Sequence, residues 1–368
     1  MYRDAQTDDA RLTLMVVRTA VDRGGIAVNH VEAVAVKAVD SGWTVTLRDM
    51  LRGSTHEVRT RRVVAATGAA APPGGAGEPL PVILSKGTHL ITRQEDIGVS
   101  TAALVLPETD DGRVIFIVPW RQHAVVGTTD TPYSGDLEHP TATDEDIVYL
   151  RRHLHQYLDI DDLRPLSAWS GLRALAAGGG GSTASRAHKV SEIAPGYLQV
   201  AGGKLTGYRG IAAEVVDRVQ RGMGQKGSSP TATIDLHGSG VPPGFLGRIT
   251  DRVIALSLPE HCAAPLVSRY GTETARVLAI AESNPELAET IDERWMLAEV
   301  AHTVRNESAA TIADFVQRRT RIAWFTADHA RGELPAVGAV MAAELGWDDD
   351  RLAAELERAE QDLKAENL

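Results

Sequence analysis

The chain has 368 residues, 43% of them hydrophobic, enough to bury a large core and to form two or more domains. Its 49 acidic and 38 basic residues give a formal net charge of -11, which argues against nucleic acid as a main partner and requires any basic site to be local. A single cysteine, Cys262, excludes an intrachain disulfide and a cysteine metal cluster, and no apolar run approaches the ~20 residues that cross a bilayer, so membrane contact would be peripheral.

Residues 8–21 open the chain as an acid-capped amphipathic helix that should end at Gly24 and Gly25. Residues 26–28, 31–39, 43–47 and 57–60 then alternate apolar with polar across turn sequences, as a small antiparallel sheet does. Residues 62–68 read as a buried strand that ends in a glycine turn, Ala66, Thr67 and Gly68, and the Pro/Gly-rich run 71–79 crosses to another layer. Residues 83–92, 102–106, 114–119 and 123–129 predict a second antiparallel sheet, rich in β-branched residues. Thr143 should cap a helix over 144–158. A strand at 169–173, a flexible glycine loop at 178–182 and a hairpin of 187–193 with 197–200 complete this half.

The hairpin runs into Gly202, Gly203, Lys204, Leu205 and Thr206 and then into a helix from Ile211, giving strand, glycine turn and helix. Two glycines let backbone approach a ligand, and amides that open a helix favour negative charge, so the turn suits a phosphate or the pyrimidine edge of a reduced flavin. A polar, Gly/Ser/Pro-rich linker covers 221–233. Beyond it, residues 265–283, 292–305, 312–328, 335–345 and 348–365 carry apolar residues at three- and four-residue steps, as a helical bundle needs. His153 and His155 should point to different faces of their helix, and no metal site is expected.

Five blocks stand in an order and at spacings that resemble the FAD-dependent, respiratory glycerol-3-phosphate dehydrogenases. They are residues 83–91, with Ser85, Lys86, Gly87, Thr88 and His89; 114–120; 125–131, with Gly127, Thr128, Thr129 and Asp130; 170–175, with Arg173; and 202–206. Residues 2–11, the Ala66, Thr67, Gly68 turn and the run Arg318, Arg319, Thr320, Arg321 extend the likeness over nearly the whole chain. The resemblance implies a mixed α+β and α/β protein: part of an FAD-binding domain of the two-dinucleotide-binding type (1–78 and 186–222), an antiparallel-sheet substrate domain (79–185), a linker (223–233) and an all-α C-terminal domain (234–368). It implies FAD as cofactor and oxidation of sn-glycerol 3-phosphate to dihydroxyacetone phosphate, with electrons passed to a quinone. The implied setting is cytoplasmic, with peripheral contact at the inner face of the cytoplasmic membrane.

By the same resemblance His89 is the base, Arg173 and Arg186 contact the phosphate, and Lys204 contacts substrate oxygens or charge on the reduced flavin. The turns Ala66, Thr67, Gly68 and Gly202, Gly203, Lys204, Leu205, Thr206 face the cofactor, and Thr128, Thr129 and Asp130 are scaffold. The family's strand, Gly-x-Gly-x-x-Gly turn and helix for the FAD diphosphate do not precede Tyr2, and Ala69, Ala70 and Ala71 stand where the family tends to carry Pro-Trp. The expectation is therefore an N-terminally truncated or split form, partnered by a separate FAD-binding segment and holding FAD weakly alone. Open apolar faces are expected around 63–65 and 198–201. The competing expectations are a glycerophosphate oxidase that uses dioxygen and a non-catalytic remnant that binds phosphate or a partner.

Overall fold

The computed structural model describes residues 3–75, 77–99, 101–160, 163–177, 184–185, 187–292 and 294–366. The chain divides into two compact units, residues 28–234 and residues 1–27 with 235–368. Helix α1 (Asp9–Asp22) belongs to the second unit. The Asp8 carboxylate accepts the Arg11 amide at 3.0 Å to start it, and Gly24 follows its end at φ +87°.

In the first unit, β1 (Val31–Val39), β2 (Gly42–Asp49) and β3 (Thr55–Thr60) form the expected antiparallel meander. Residues 26–28 are not a strand: among the described residues no segment pairs with them, and Ile26 is left 94% exposed. Val36 and Trp43 of the meander pack with Ala65 and Tyr197, and the Trp43 and Tyr197 rings meet edge to face at 5.6 Å. Ala65 lies on β4 (Val63–Ala65) and Tyr197 on a strand much later in the chain.

The second sheet is built on β5 (Val82–Arg93), which is followed by the short helix α2 (Gln94–Ile97). With β6 (Leu104–Leu106), β7 (Ile115–Trp120), β8 (His123–Gly127), β9 (Thr131–Pro132), β10 (Ser167–Ala177) and β11 (Ala184–Ser185) it makes seven strands in the order β11-β10-β5-β8-β7-β6, with β9 also paired to β5. Every pairing in it is antiparallel. Side chains therefore alternate between faces. On one face Leu90, Ile115, Ile117, Ala124 and Val126 form a core with Leu150 and Leu154 of α3 (Asp144–His155). Thr143 and Asp146 cap α3 reciprocally. His153 of α3 is buried and His155 exposed, on different faces as expected.

β12 (His188–Ala194) and β13 (Tyr197–Gly202) form the expected hairpin, and β4 pairs with β13 in parallel, giving the order β12-β13-β4. Helix α4 (Tyr208–Gly222) covers this sheet, with Val215 packed on Val190 and Leu198. The expectation of an open face around 198–201 is thus corrected: Leu198 is buried under the chain's own next helix, and Ala201, on the other face of the strand, is buried as well. At β4, the edge strand, Val64 stays 40% exposed.

The second unit continues with α5 (Phe245–Ala255), α6 (Ala263–Tyr270), α7 (Thr274–Ser283), α8 (Leu297–Glu307), α9 (Ile322–Phe325), α10 (Leu334–Leu345) and α11 (Asp349–Ala365). The helix expected over 265–283 is two helices, broken at Gly271. Its φ is +54°, and a Cβ there would stand 1.9 Å from the Gly238 carbonyl oxygen. The stretch expected as one helix over 312–328 is a π-helical turn, Asp314–Arg319, followed by short α9. Arg11 is held by both oxygens of Glu307 at 2.7 Å, and Arg269 by both oxygens of Glu299 at 2.8 Å, all four buried. Among the described residues no helix is long and apolar enough to cross a membrane, and no cluster of side chains fits a metal ion.

Candidate active site

The pairing of β10 with β5 sets Arg173 opposite Ser85, Gly171 opposite Gly87 and Trp169 opposite His89. Ser85, Gly87 and His89 alternate with the inward-facing Lys86 and Thr88, so Arg173 and His89 share the face turned away from α3. The Arg173 guanidinium lies over Gly87, where a Cβ would meet its atoms at 2.4–2.7 Å. It donates to the Thr128 hydroxyl at 3.1 Å and to the Thr129 carbonyl at 3.3 Å, and stands 3.5 Å from the Asp130 carboxylate, to which the Ser85 hydroxyl also donates. With 34% of its side chain exposed, the guanidinium is oriented yet still open to an anion. The His89 ring stacks on Trp169 with centroids 5.4 Å apart and lies over Gly127, where a Cβ would come within 2.1 Å of it.

The opposite face anchors the same strand. Lys86 pairs with Asp146 of α3 at 2.6 Å and donates to the Thr141 carbonyl at 3.0 Å. Burial alone would raise the Asp146 carboxyl, but the Lys86 ammonium and the Thr143 amide outweigh it and hold the carboxyl below its ordinary value. Thr128, Thr129 and Asp130, expected as scaffold, hold Arg173, and the Thr129 hydroxyl also accepts the Thr88 amide at 2.9 Å. The sequence reading passed over Gly87, Ser85, Asp130 and Trp169 as neighbours of the site. The signal was present only in the strand register, which sets a glycine beside an arginine and an aromatic beside a histidine.

The two glycine turns lie at one end of the other sheet. Parallel pairing of β4 with β13 places Ala66, Thr67 and Gly68 at the same end as residues 202–206, the carboxyl end where α/β sheets bind ligands. Gly68, Gly202 and Gly203 have φ of +61°, +70° and +93°. A Cβ on Gly202 would lie 2.6 Å from the Ala187 carbonyl oxygen and 3.0 Å from the Ala176 amide nitrogen, so this turn packs on the end of β10, three residues beyond Arg173. Gly203, Lys204, Leu205 and Thr206 are exposed. A 3-10 turn, Leu205–Gly207, leads into α4; no side chain caps either, and α4 has no acidic residue in its first turn. Amides that open a helix without a capping oxygen fit the electron-rich edge of a flavin. Gly222, Gly224 and Gly227 carry Gly-x-Gly-x-x-Gly spacing, but they close α4 and follow no strand, so they offer no diphosphate cradle. Arg186 and the loop 178–182 lie outside the described residues.

The chain belongs to the FAD dependent oxidoreductases, whose family model matches residues 1–217. Residues 229–352 match the C-terminal domain of alpha-glycerophosphate oxidase. A glycerol-3-phosphate dehydrogenase from Bacillus halodurans, solved with FAD, superposes with a TM-score of 0.84 at 29% identity, over 98% of this chain and 74% of that one. Glycerol-3-phosphate dehydrogenase 2 of Mycobacterium tuberculosis is 33% identical over 97% of this chain and 62% of its own length. A probable mitochondrial glycerol-3-phosphate dehydrogenase of Caenorhabditis elegans is 31% identical over 98% of this chain and 52% of its own length. This chain thus spans between half and two thirds of those two relatives. The family match and the FAD-bound neighbour agree with the expected fold class and the expected flavin.

Proposed function

We propose that the protein serves FAD-dependent oxidation of sn-glycerol 3-phosphate to dihydroxyacetone phosphate, with electrons passed on to a quinone. The observation that carries the reading is Arg173 laid over Gly87 beside His89, on the open face of a sheet whose end meets the Gly202 turn. Arg173 would bind the phosphate dianion through its planar donors, in a position that Thr128, Thr129 and Asp130 maintain. His89 would take the proton of the C2 hydroxyl as the carbonyl forms, its ring plane fixed by Trp169. Lys204 would contact substrate oxygens or developing charge, and the Leu205 and Thr206 amides would face the cofactor. Bound FAD supplies the acceptor for the C2 hydride.

The open edge of β4 and the exposed Val64 support a further expectation, that the FAD diphosphate is held by a dinucleotide-binding segment paired there. A quinone acceptor would bring the protein to the inner face of the cytoplasmic membrane peripherally. The match of residues 229–352 favours one alternative, an oxidase that hands electrons to dioxygen. Peroxide formation measured against quinone or dye reduction separates the two. For the substrate, calorimetry should show binding of glycerol 3-phosphate but not of glycerol, and weaker binding by Arg173→Ala. Equal binding by wild type and variant would remove Arg173 from the site. In the flavin-loaded protein, His89→Asn should slow flavin reduction more than it weakens binding, and unchanged reduction across the pH range would refute its role as base.

A further inference from the structure

The turn that faces the flavin in this reading has little to hold it from within. Gly202 and Gly203 in succession adopt left-handed conformations, residues 203–207 are exposed, and no side chain caps the turn. Glycines give the turn its shape at a cost in backbone order. Its support must come from what lies beneath. A Cβ built on Gly203 would meet Ile211 Cδ1 at 2.7 Å and His188 Cβ at 3.1 Å, so the turn rests directly on these two side chains.

His188 is the first residue of β12 and pairs with Gly202 across the hairpin. Its Nε2 donates to Glu214 Oε2 of α4 at 2.8 Å, Arg218 donates to the other oxygen of Glu214 at 2.7 Å, and Arg218 returns to β12 by donating to the Val190 carbonyl at 3.0 Å. The ring closes because Glu214 and Arg218, four apart, share a helix face, from which they reach the His188 ring and the Val190 carbonyl of β12. The hydrogen bond from His188, and then Arg218, hold the Glu214 carboxyl below its ordinary value.

We propose that His188, Glu214 and Arg218 form a clasp that ties the start of β12 to the second turn of α4 and so holds the Gly202 turn in the conformation that offers its amides to the flavin. The three are positioning residues, and their link to the cofactor rests on the flavin reading of the turn. Since each is about one third or more exposed, the clasp adds little to global stability and acts locally.

Amide hydrogen exchange on the full chain tests the clasp without cofactor. In His188→Ala and in Glu214→Ala, the amides of Gly207 and Tyr208, which donate to the Lys204 and Leu205 carbonyls, should exchange about tenfold faster or more, as expected for opening of a locally held segment. Exchange in β5 and β10 should stay unchanged, the double variant should be no faster than either single one, and His188→Gln, which keeps a donor, should restore part of the protection. Wild-type protection of Gly207 and Tyr208 in both alanine variants overturns the proposal. A second arm titrates FAD by its absorbance and fluorescence. Weaker FAD binding and an altered visible spectrum in the alanine variants support the link to the flavin. Faster exchange with unchanged FAD affinity overturns that link, and absence of FAD binding in wild type even with a dinucleotide-binding segment supplied counts against the flavin reading while exchange still decides the clasp.

Discussion

Replacing Gly87 by alanine isolates the most specific geometric feature of the site. The new Cβ would fall 2.4 Å from one terminal nitrogen of Arg173, 2.6 Å from the other and 2.7 Å from Cζ. Comfortable separation of such atoms is about 3.5 Å, so the guanidinium must move by roughly 1 Å. Its bonds to Thr128 and Thr129, already 3.1 and 3.3 Å long, would not survive that movement. A hydrogen bond to a charged group is worth about 1.5–3 kcal/mol, and each 1.4 kcal/mol is about tenfold, so phosphate binding should weaken by about 10- to 150-fold. The proper control is Gly171→Ala, directly opposite in the register, where an added Cβ meets nothing within 4 Å. Calorimetric titration of both variants with glycerol 3-phosphate, alongside circular dichroism to confirm folding, gives the comparison. Undiminished binding by a folded Gly87→Ala protein, or equal losses in the two variants, would refute the placement of Arg173 over Gly87 as the origin of affinity.

The buried Lys86 and Asp146 pair, 7% and 4% exposed, should make Lys86→Met destabilising by about 3–5 kcal/mol in denaturant titration. Its pH dependence carries a sign. Asp146 is held below its ordinary value in the folded state, so it stabilises wild type above the usual carboxylate range, and this contribution is lost as pH falls through the depressed value. Without Lys86 the carboxyl is buried and unpaired, so the variant should instead lose less, or gain, on acidification; parallel curves for the two proteins would contradict this. Limited proteolysis should cut in the exposed stretch 224–233, between α4 and the helical unit. Because α1 packs within the helical unit through Arg11 and Glu307, the two fragments should co-elute, and Arg11→Met should release them. Cuts within α5 to α8 instead, or co-elution unchanged by Arg11→Met, would show that the linker or the anchor is misassigned.

Much of the fold was legible because local chemistry announced it. Asp8, Thr143 and the glycines at 24 and 202 mark ends that any chain of this composition would have to make, and period-two alternation over residues 31–39 and β-branched residues over 83–92 identified strands whatever they paired with. The block containing Gly202, Gly203, Lys204, Leu205 and Thr206 showed strand, turn and helix directly. Helix α5 was missed although Phe245, Ile249 and Val253 stand at four-residue steps. The division of the helix at Gly271 could not be read, because a glycine within an amphipathic run leaves the period intact. Only the approach of the Gly238 carbonyl imposes the break.

The site itself was decided at a longer range. The sequence names Arg173 and His89, 84 positions apart, but their common face depends on the register of β10 against β5, and one residue of slip would send Arg173 to the core. The same register gives Gly87 its meaning, since an arginine must lie where the side chain is missing. In the same way only the parallel pairing of β4 with β13 brings Ala66, Thr67 and Gly68 level with the Gly202 turn, and only the docking of α4 closes His188 onto Glu214. Periodicity and capping are properties of a few neighbouring residues and so are written in the chain. Register, approach and charge pairing are set by burial of distant faces against each other, and they exist only once the sheets and helices have packed.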